Sequence, residues 1–154
     1  MKKQLALALF LLLSFTTFSQ IKFEKGYFIS NDNSKTECLI KNYDWDKNPS
    51  KINYKLNEND LPKEAAIEEI KEFSIDGISK YERFTVDIDM SSQDLNTMNK
   101  DRNPEWEKNI VFLKLLVEGN AKLYRYNNDN IPKYLFSVDS LEVKQLICKE
   151  YLTN

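Results

Sequence analysis

Apolar and polar residues alternate along much of this chain with the period of two that a half-buried β-strand requires. The clearest case is Tyr81 to Asp89. Phe84, Val86 and Ile88 share one side, and Arg83, Thr85, Asp87 and Asp89 share the other. Lys51 to Leu56 repeats the pattern, with Ile52, Tyr54 and Leu56 set against Lys51, Asn53 and Lys55. Ile21 to Ser30 and Thr36 to Lys41 flank Asn31-Asp32-Asn33-Ser34. Asn and Asp tolerate positive φ and bond their own backbone, so this stretch predicts a hairpin turn. Ile110 to Val117 is apolar at both parities, apart from Lys114, as expected of a central strand covered on both faces. Glu118-Gly119-Asn120 is a tight turn, and Lys122 to Tyr126 returns as the partner strand. A further turn at Asn127 to Asn130 leads into Lys133 to Val138. Leu141 to Tyr151 reads as a last strand, although Leu141, Lys144 and Cys148 also fit a helical spacing.

Three stretches depart from alternation. Asp44 to Ser50 is a polar loop holding Trp45 and Pro49. In Lys63 to Ile75, Ala65, Ala66, Glu68 and Glu69 favour helix, and Pro62 suits a helix start. Ile70 to Ile75 then alternates, so the pattern predicts a short helical turn leading into a strand, with Gly77 marking the next turn. Met90 to Glu107 is the longest irregular stretch, with a short helix expected around Glu105-Trp106-Glu107. Long loops in compact domains are often functional, which makes this the first place to look for a binding surface. The pattern as a whole predicts a mainly β fold. It is a single antiparallel-sheet domain of meandering hairpins, barrel- or sandwich-like, with at most short helices.

The first twenty residues follow a different pattern. Met1-Lys2-Lys3 is basic, Leu5 to Leu13 is unbroken and apolar, and Ser14 to Gln20 is small and mostly polar. This is the three-part pattern of a secretory signal peptide, and the apolar run is too short to cross a bilayer. Thr17 and Ser19 take the −3 and −1 positions of a cut before Gln20. Residues 1–19 are therefore expected to be a signal peptide and residues 20–154 one β-rich domain. The expected location is exported: periplasm, outer-membrane periphery or extracellular. The first cysteine is Cys38, not a residue at the cut, so no lipoprotein anchor is expected, and no later run suggests a transmembrane anchor.

Composition narrows the chemistry. The net charge is −2, and loss of Lys2 and Lys3 takes it to −4. With both signs interspersed, nothing marks a nucleic-acid or anionic-lipid surface. The chain has no histidine, which removes the commonest general base and metal ligand. Gly26, Gly77 and Gly119 are too far apart for a phosphate-cradling loop. Cys38 and Cys148 permit one disulfide in an oxidising compartment; the alternative is two buried thiols. Asp87 and Asp89 lie two apart on one strand face, where they could hold a hard cation or act as an acid/base pair. The alternative is a solvated face with salt bridges. Asn31 to Ser34 carries oxygen ligands but lacks the glycine and downstream glutamate of a calcium loop. Ser91-Ser92 has no histidine to activate it, which leaves only a Ser–Lys arrangement on paper. Most aromatics sit at strand positions and read as core. Trp45 and Trp106 read as loop residues that either anchor a partner or fold over the sheet end.

Four segments carry a resemblance. They are Lys25-Gly26-Tyr27-Phe28-Ile29, Lys51 to Leu56, Ile70 to Ile75, and Leu113 to Tyr126. In that order, with the leader ending Phe18-Ser19-Gln20, they resemble an uncharacterised family of exported Bacteroidetes proteins, flavobacterial ones especially. Some members carry an outer-membrane β-barrel after this β-rich domain, so the resemblance implies a stand-alone member or a fragment. It implies an envelope location and brings no catalytic, cofactor-binding or metal residue. The expected function is a non-enzymatic binding or assembly module for an envelope or outer-membrane protein or a glycan. The alternatives are a small carboxylate-dependent hydrolase using Asp87 and Asp89, and a metal-dependent adhesin. A deep cleft of convergent carboxylates would favour the hydrolase, and oxygen ligands around Asp87 the adhesin. An exposed aromatic patch or a long unpaired edge would favour the binding module.

Overall fold

The computed structural model describes residues 22–128, 131–139 and 142–153, and every regular element among them is a strand. In chain order these are β1 Phe23–Ser30, β2 Lys35–Lys41, β3 Lys51–Lys55, β4 Lys63–Ala66 and β5 Ile70–Ile75. They continue as β6 Ser79–Asp89, β7 Trp106–Val117, β8 Ala121–Tyr126, β9 Lys133–Val138 and β10 Lys144–Gln145. All belong to one antiparallel sheet in the order β10-β9-β8-β7-β6-β5-β1-β2-β3-β4. Two meanders, β1 to β4 and β5 to β10, are joined where β5 pairs with β1. The mainly β, single-sheet expectation holds. The expected signal peptide, residues 1–19, lies outside the described residues.

The connection from β4 to β5 forces the sheet to curl. Laid flat, the four strand steps between them would span about 19 Å. Yet only Ile67, Glu68 and Glu69 connect them, and Glu69 N–H donates to the Ala66 carbonyl at 3.0 Å. Such a turn holds its ends within about 7 Å. The curl encloses a first core of Phe28, Cys38, Ile40, Ile52, Phe73 and Ile75, with Tyr81 and Phe112 at its margin. Phe73 stacks on Tyr81 at 4.8 Å and meets Phe112 edge-on at 5.1 Å.

A second core contains Val86, Ile88, Leu113, Tyr124 and Leu135. Its β6 residues are even-numbered, whereas Tyr81 of the first core is odd. The two cores therefore lie on opposite faces of the same sheet. β6 and β7, at 11 and 12 residues, are long enough to serve both. Around the second core the sheet curls again, until Gln145 of β10 accepts the Asp89 N–H of β6 at 3.0 Å. The β2–β3 loop stitches the halves together. Trp45 packs edge-on against Phe73 at 5.6 Å, and Asn127 N–H donates to Asn48 Oδ1 at 2.7 Å.

Several expectations need correction. Lys63–Ala66 is a strand, not a helical turn: Ala65 packs opposite Ile52, and Ile67 N–H bonds the Ser50 carbonyl. Helix propensity differs by only tenths of a kcal/mol per residue, and this pairing outweighs it. Trp106 heads β7 and is neither helical nor in a loop, because Asp89 pairs with it across the ladder. β7 is interior to the sheet, but only Phe112 and Leu113 are fully covered; Ile110, Leu116 and Val117 face outward, exposed. The last segment is a two-residue strand within irregular chain, not a long strand or helix, and Leu141 lies outside the described residues.

Gly26 tests the packing of the β1–β5 seam. A Cβ there would sit 2.1 Å from the Ser74 carbonyl oxygen, which is backbone and cannot swing away. Gly26→Ala is expected to cost at least about 2 kcal/mol in urea unfolding. Gly119→Ala, where the nearest atom is 3.6 Å away, should stay within about 0.5 kcal/mol. Equal losses would show that the seam is not tight.

Candidate functional site

Asp89 organises the Met90 to Glu107 stretch. It ends β6 pointing away from the second core, yet it is only 5% exposed because the loop folds over it. Its Oδ1 accepts the Ser91 N–H at 2.9 Å, the Ser91 hydroxyl at 2.5 Å and the Glu105 N–H at 3.0 Å. One carboxylate thus pins both ends of the loop. Lys133 adds its ammonium to the Asp89 backbone carbonyl. Burial works to raise the Asp89 pKa, but the Ser91 and Glu105 donors and the nearby Lys133 charge outweigh it. The carboxyl is held below the usual carboxylate value.

Beside this knot lie two adjoining hollows of about 320 and 250 Å³. They share Ser91, Ser92, Gln93, Ile131 and Lys133. This is the region the loop length singled out, and its walls mix polar side chains with apolar ones such as Ile131. Asp87 and Asp89 do share a strand parity, but they do not converge. Asp87 is exposed, whereas the Asp89 carboxylate is committed to the loop. No group of three or more acidic or cysteine side chains among the described residues could hold a metal ion. Ser91 does come near Lys133. Its hydroxyl proton is given to Asp89, however, and its oxygen accepts the Glu105 N–H at 3.1 Å, so it serves as a post for the loop.

The remaining candidates separate by environment. Asp32 accepts from Ser30 Oγ at 2.5 Å and Ser34 N–H at 3.0 Å, which holds its carboxyl far below the usual range. With Asn33 at φ 69°, this is a hairpin turn. Trp45 folds over the first core, while Trp106 is 47% exposed. Cys38 and Cys148 are both free thiols, so no disulfide links them. Cys38 is buried, and burial pushes its pKa up to about 11; Cys148 is exposed, so the buried-thiol reading fits Cys38 alone.

A charged row crosses the second-core face of β5, β6 and β8. Lys80 lies 3.3 Å from Glu82 and Glu118 and 3.6 Å from Glu72. Tyr27 donates to Glu72 at 2.6 Å and Tyr124 to Glu82 at 2.8 Å. Partial burial and the Glu72 charge push Tyr27 up to about 12. Every charge in this row has a partner, which makes it a structural device.

One surface feature was not singled out from the sequence. Across β7, β8 and β9, Val117 pairs with Leu123, Leu123 with Phe136, and Ala121 with Val138. Tyr134 shares this outward face, and Leu146 bonds beside it. Val117, Tyr134, Phe136, Val138 and Leu146 are each 36–53% exposed. The signal was present in Tyr134-Leu135-Phe136, apolar at both parities, where only Leu135 turns inward. The chain matches no protein-family model, no curated protein and no solved structure.

Asp89→Asn is expected to destabilise the protein by about 1–3 kcal/mol at pH 7, measured by urea unfolding. Because the folded carboxyl has the lower pKa, its contribution is complete above the unfolded value of about 3.9. It declines as pH falls from there through the folded value. The gap between wild type and variant should therefore narrow on acidification below pH about 4; a gap independent of pH would remove the charge from the explanation. A thiol reagent should label Cys148 at once in the native protein and Cys38 only on unfolding. Equal native rates would contradict the burial of Cys38.

Proposed function

We propose that this chain is an exported, non-enzymatic interaction module of a bacterial cell envelope, docking a partner protein on its outward apolar stripe. The single observation behind this reading is that stripe. Both cores are already filled, and the sheet still turns Val117, Tyr134, Phe136, Val138 and Leu146 to solvent. Contiguous exposed apolar groups on one sheet face mark contact surfaces more often than isolated ones do. Two aromatic rings near its centre suit the anchor role such residues play in interfaces. The leader pattern of residues 1–19 and the resemblance to exported Bacteroidetes proteins support the location. A protein suits an apolar stripe better than a glycan, which would need polar groups on it. The hydrolase and metal-adhesin readings lose support because Asp89 is committed to its loop and Asp87 stands apart from it.

A photo-crosslinking residue at Phe136 or Tyr134 is expected to trap one envelope protein in cells. The same probe at Lys51, in the other half of the sheet, should trap none. Val138→Lys should abolish the product while leaving the melting temperature within a few degrees, since Val138 is 40% exposed. Equal trapping from Lys51, or none from any position, would overturn the reading.

A further inference from the structure

We propose that the unpaired edge of β6 at Thr85–Asp87 takes up an extended peptide segment of a partner protein as an added strand. β6 is paired with β5 only through Ser79–Glu82, opposite Glu72–Ile75. By that register the first residue of β5, Ile70, falls opposite Phe84, so Thr85–Asp87 lie beyond β5, and among the described residues no strand is laddered to them on that side. The direction of each backbone group follows from two bonds. Met90 N–H reaches the Glu105 carbonyl, so even-numbered residues of this strand point toward β7. Asp89 N–H reaches the Gln145 side chain on the opposite side, so odd-numbered residues point away. Thr85 and Asp87 therefore both direct an N–H and a C=O into the open side. No backbone partner among the described residues takes them up.

The open side is a groove. It measures about 440 Å³ and runs between Thr85–Asp87 and the Glu142–Ile147 segment, with Trp106 and Lys108 beside it. Gln145 closes it at the Asp89 end, where its side chain substitutes for a strand. Trp106 and Ile147, 47% and 59% exposed, supply apolar walls. Alternating donor and acceptor pairs along a strand edge are the recognition code for another extended backbone. Charge specifies the occupant further. Asp87 and Lys108 face each other in register, yet neither has an ion pair within 4 Å among the described residues. A peptide with a basic residue opposite Asp87 and an acidic one reaching Lys108 complements both. Within Thr85–Ile88 the edge carries no proline and no bulge, and its one charge, Asp87, is exposed. This site is separate from the apolar stripe, so either could fail without the other.

The test uses the whole protein and a random heptapeptide library displayed on phage. Enriched peptides should carry a base at one fixed position. Synthetic copies should slow hydrogen exchange of the Thr85 and Asp87 amides at least tenfold, and Phe136→Glu should still bind them. Thr85→Pro removes one edge N–H that has no partner in the fold, and should lower peptide affinity at least tenfold. Asp87→Lys keeps the backbone intact and should shift the selected base to an acid; it covers the case in which the proline variant fails to fold. A library that yields no binder, protection elsewhere, or an unchanged preference with Asp87→Lys would overturn the proposal. If Thr85→Pro altered self-association and left peptide binding unchanged, the edge would belong to a second copy instead.

Discussion

The three-residue link between β4 and β5 is the constraint on which the rest of the structure depends, and it is held by one guanidinium. Arg83 Nη1 donates to the Ile67 carbonyl at 2.7 Å and the Glu68 carbonyl at 3.1 Å, and Nη2 to Asn31 Oδ1 at 2.9 Å. Asn31 completes the clamp by donating its N–H to the Glu69 carbonyl and its side chain to that of Glu68. The turn carbonyls thus find donors on two other elements, the β1–β2 turn and β6. A planar fork of fixed geometry suits this task in a way a lysine ammonium does not. Because the link is short, β4 must return to the start of β5. The sheet must then curl and enclose the first core.

The second half of the sheet follows from the first. Strongly twisted sheets of about ten strands tend to curl or split, and this one uses its two faces in succession. The transition occurs along β6. Tyr81 closes the first core, while Phe84, Val86 and Ile88 open the second. At the transition β6 exchanges its neighbour β5 for the approach of β10, and the exchange is incomplete. The unpaired edge at Thr85–Asp87 is the geometric residue of that change. The outward stripe on β7 to β9 has a similar origin. The bulge between Leu115 and Val117 turns Val117 out, and β9, apolar at both parities in Tyr134–Phe136, puts only Leu135 inside.

Asp89 illustrates how a residue that looks catalytic can be architectural. A carboxylate on the polar face of a strand invites an acid/base reading. Here it serves as the anchor for the 15-residue excursion between Asp89 and Glu105, its Oδ1 accepting donors from both loop ends. The loop gains order from it, and the adjacent cleft gains a fixed wall.

Local pattern determined most of the strands, the hairpin at Asn31 to Ser34, the turns at Gly77 and Gly119, and the absence of histidine chemistry. Each is set by side-chain parity, by a turn residue's backbone freedom, or by composition alone. The same information misread Lys63–Ala66, because helix propensity is local whereas the pairing of Ala65 with Ile52 is not. It placed Trp106 in a loop, because ladder pairing with Asp89 has no local signature. It could pair Asp87 with Asp89 by parity, but only folding decided that a loop would cover one and leave the other exposed. Alternation states that a strand has two faces and leaves open which neighbours cover them. The order of strands, the use of both sheet faces, the outward stripe and the open edge of β6 are relations between distant segments. Only the tertiary structure could decide them.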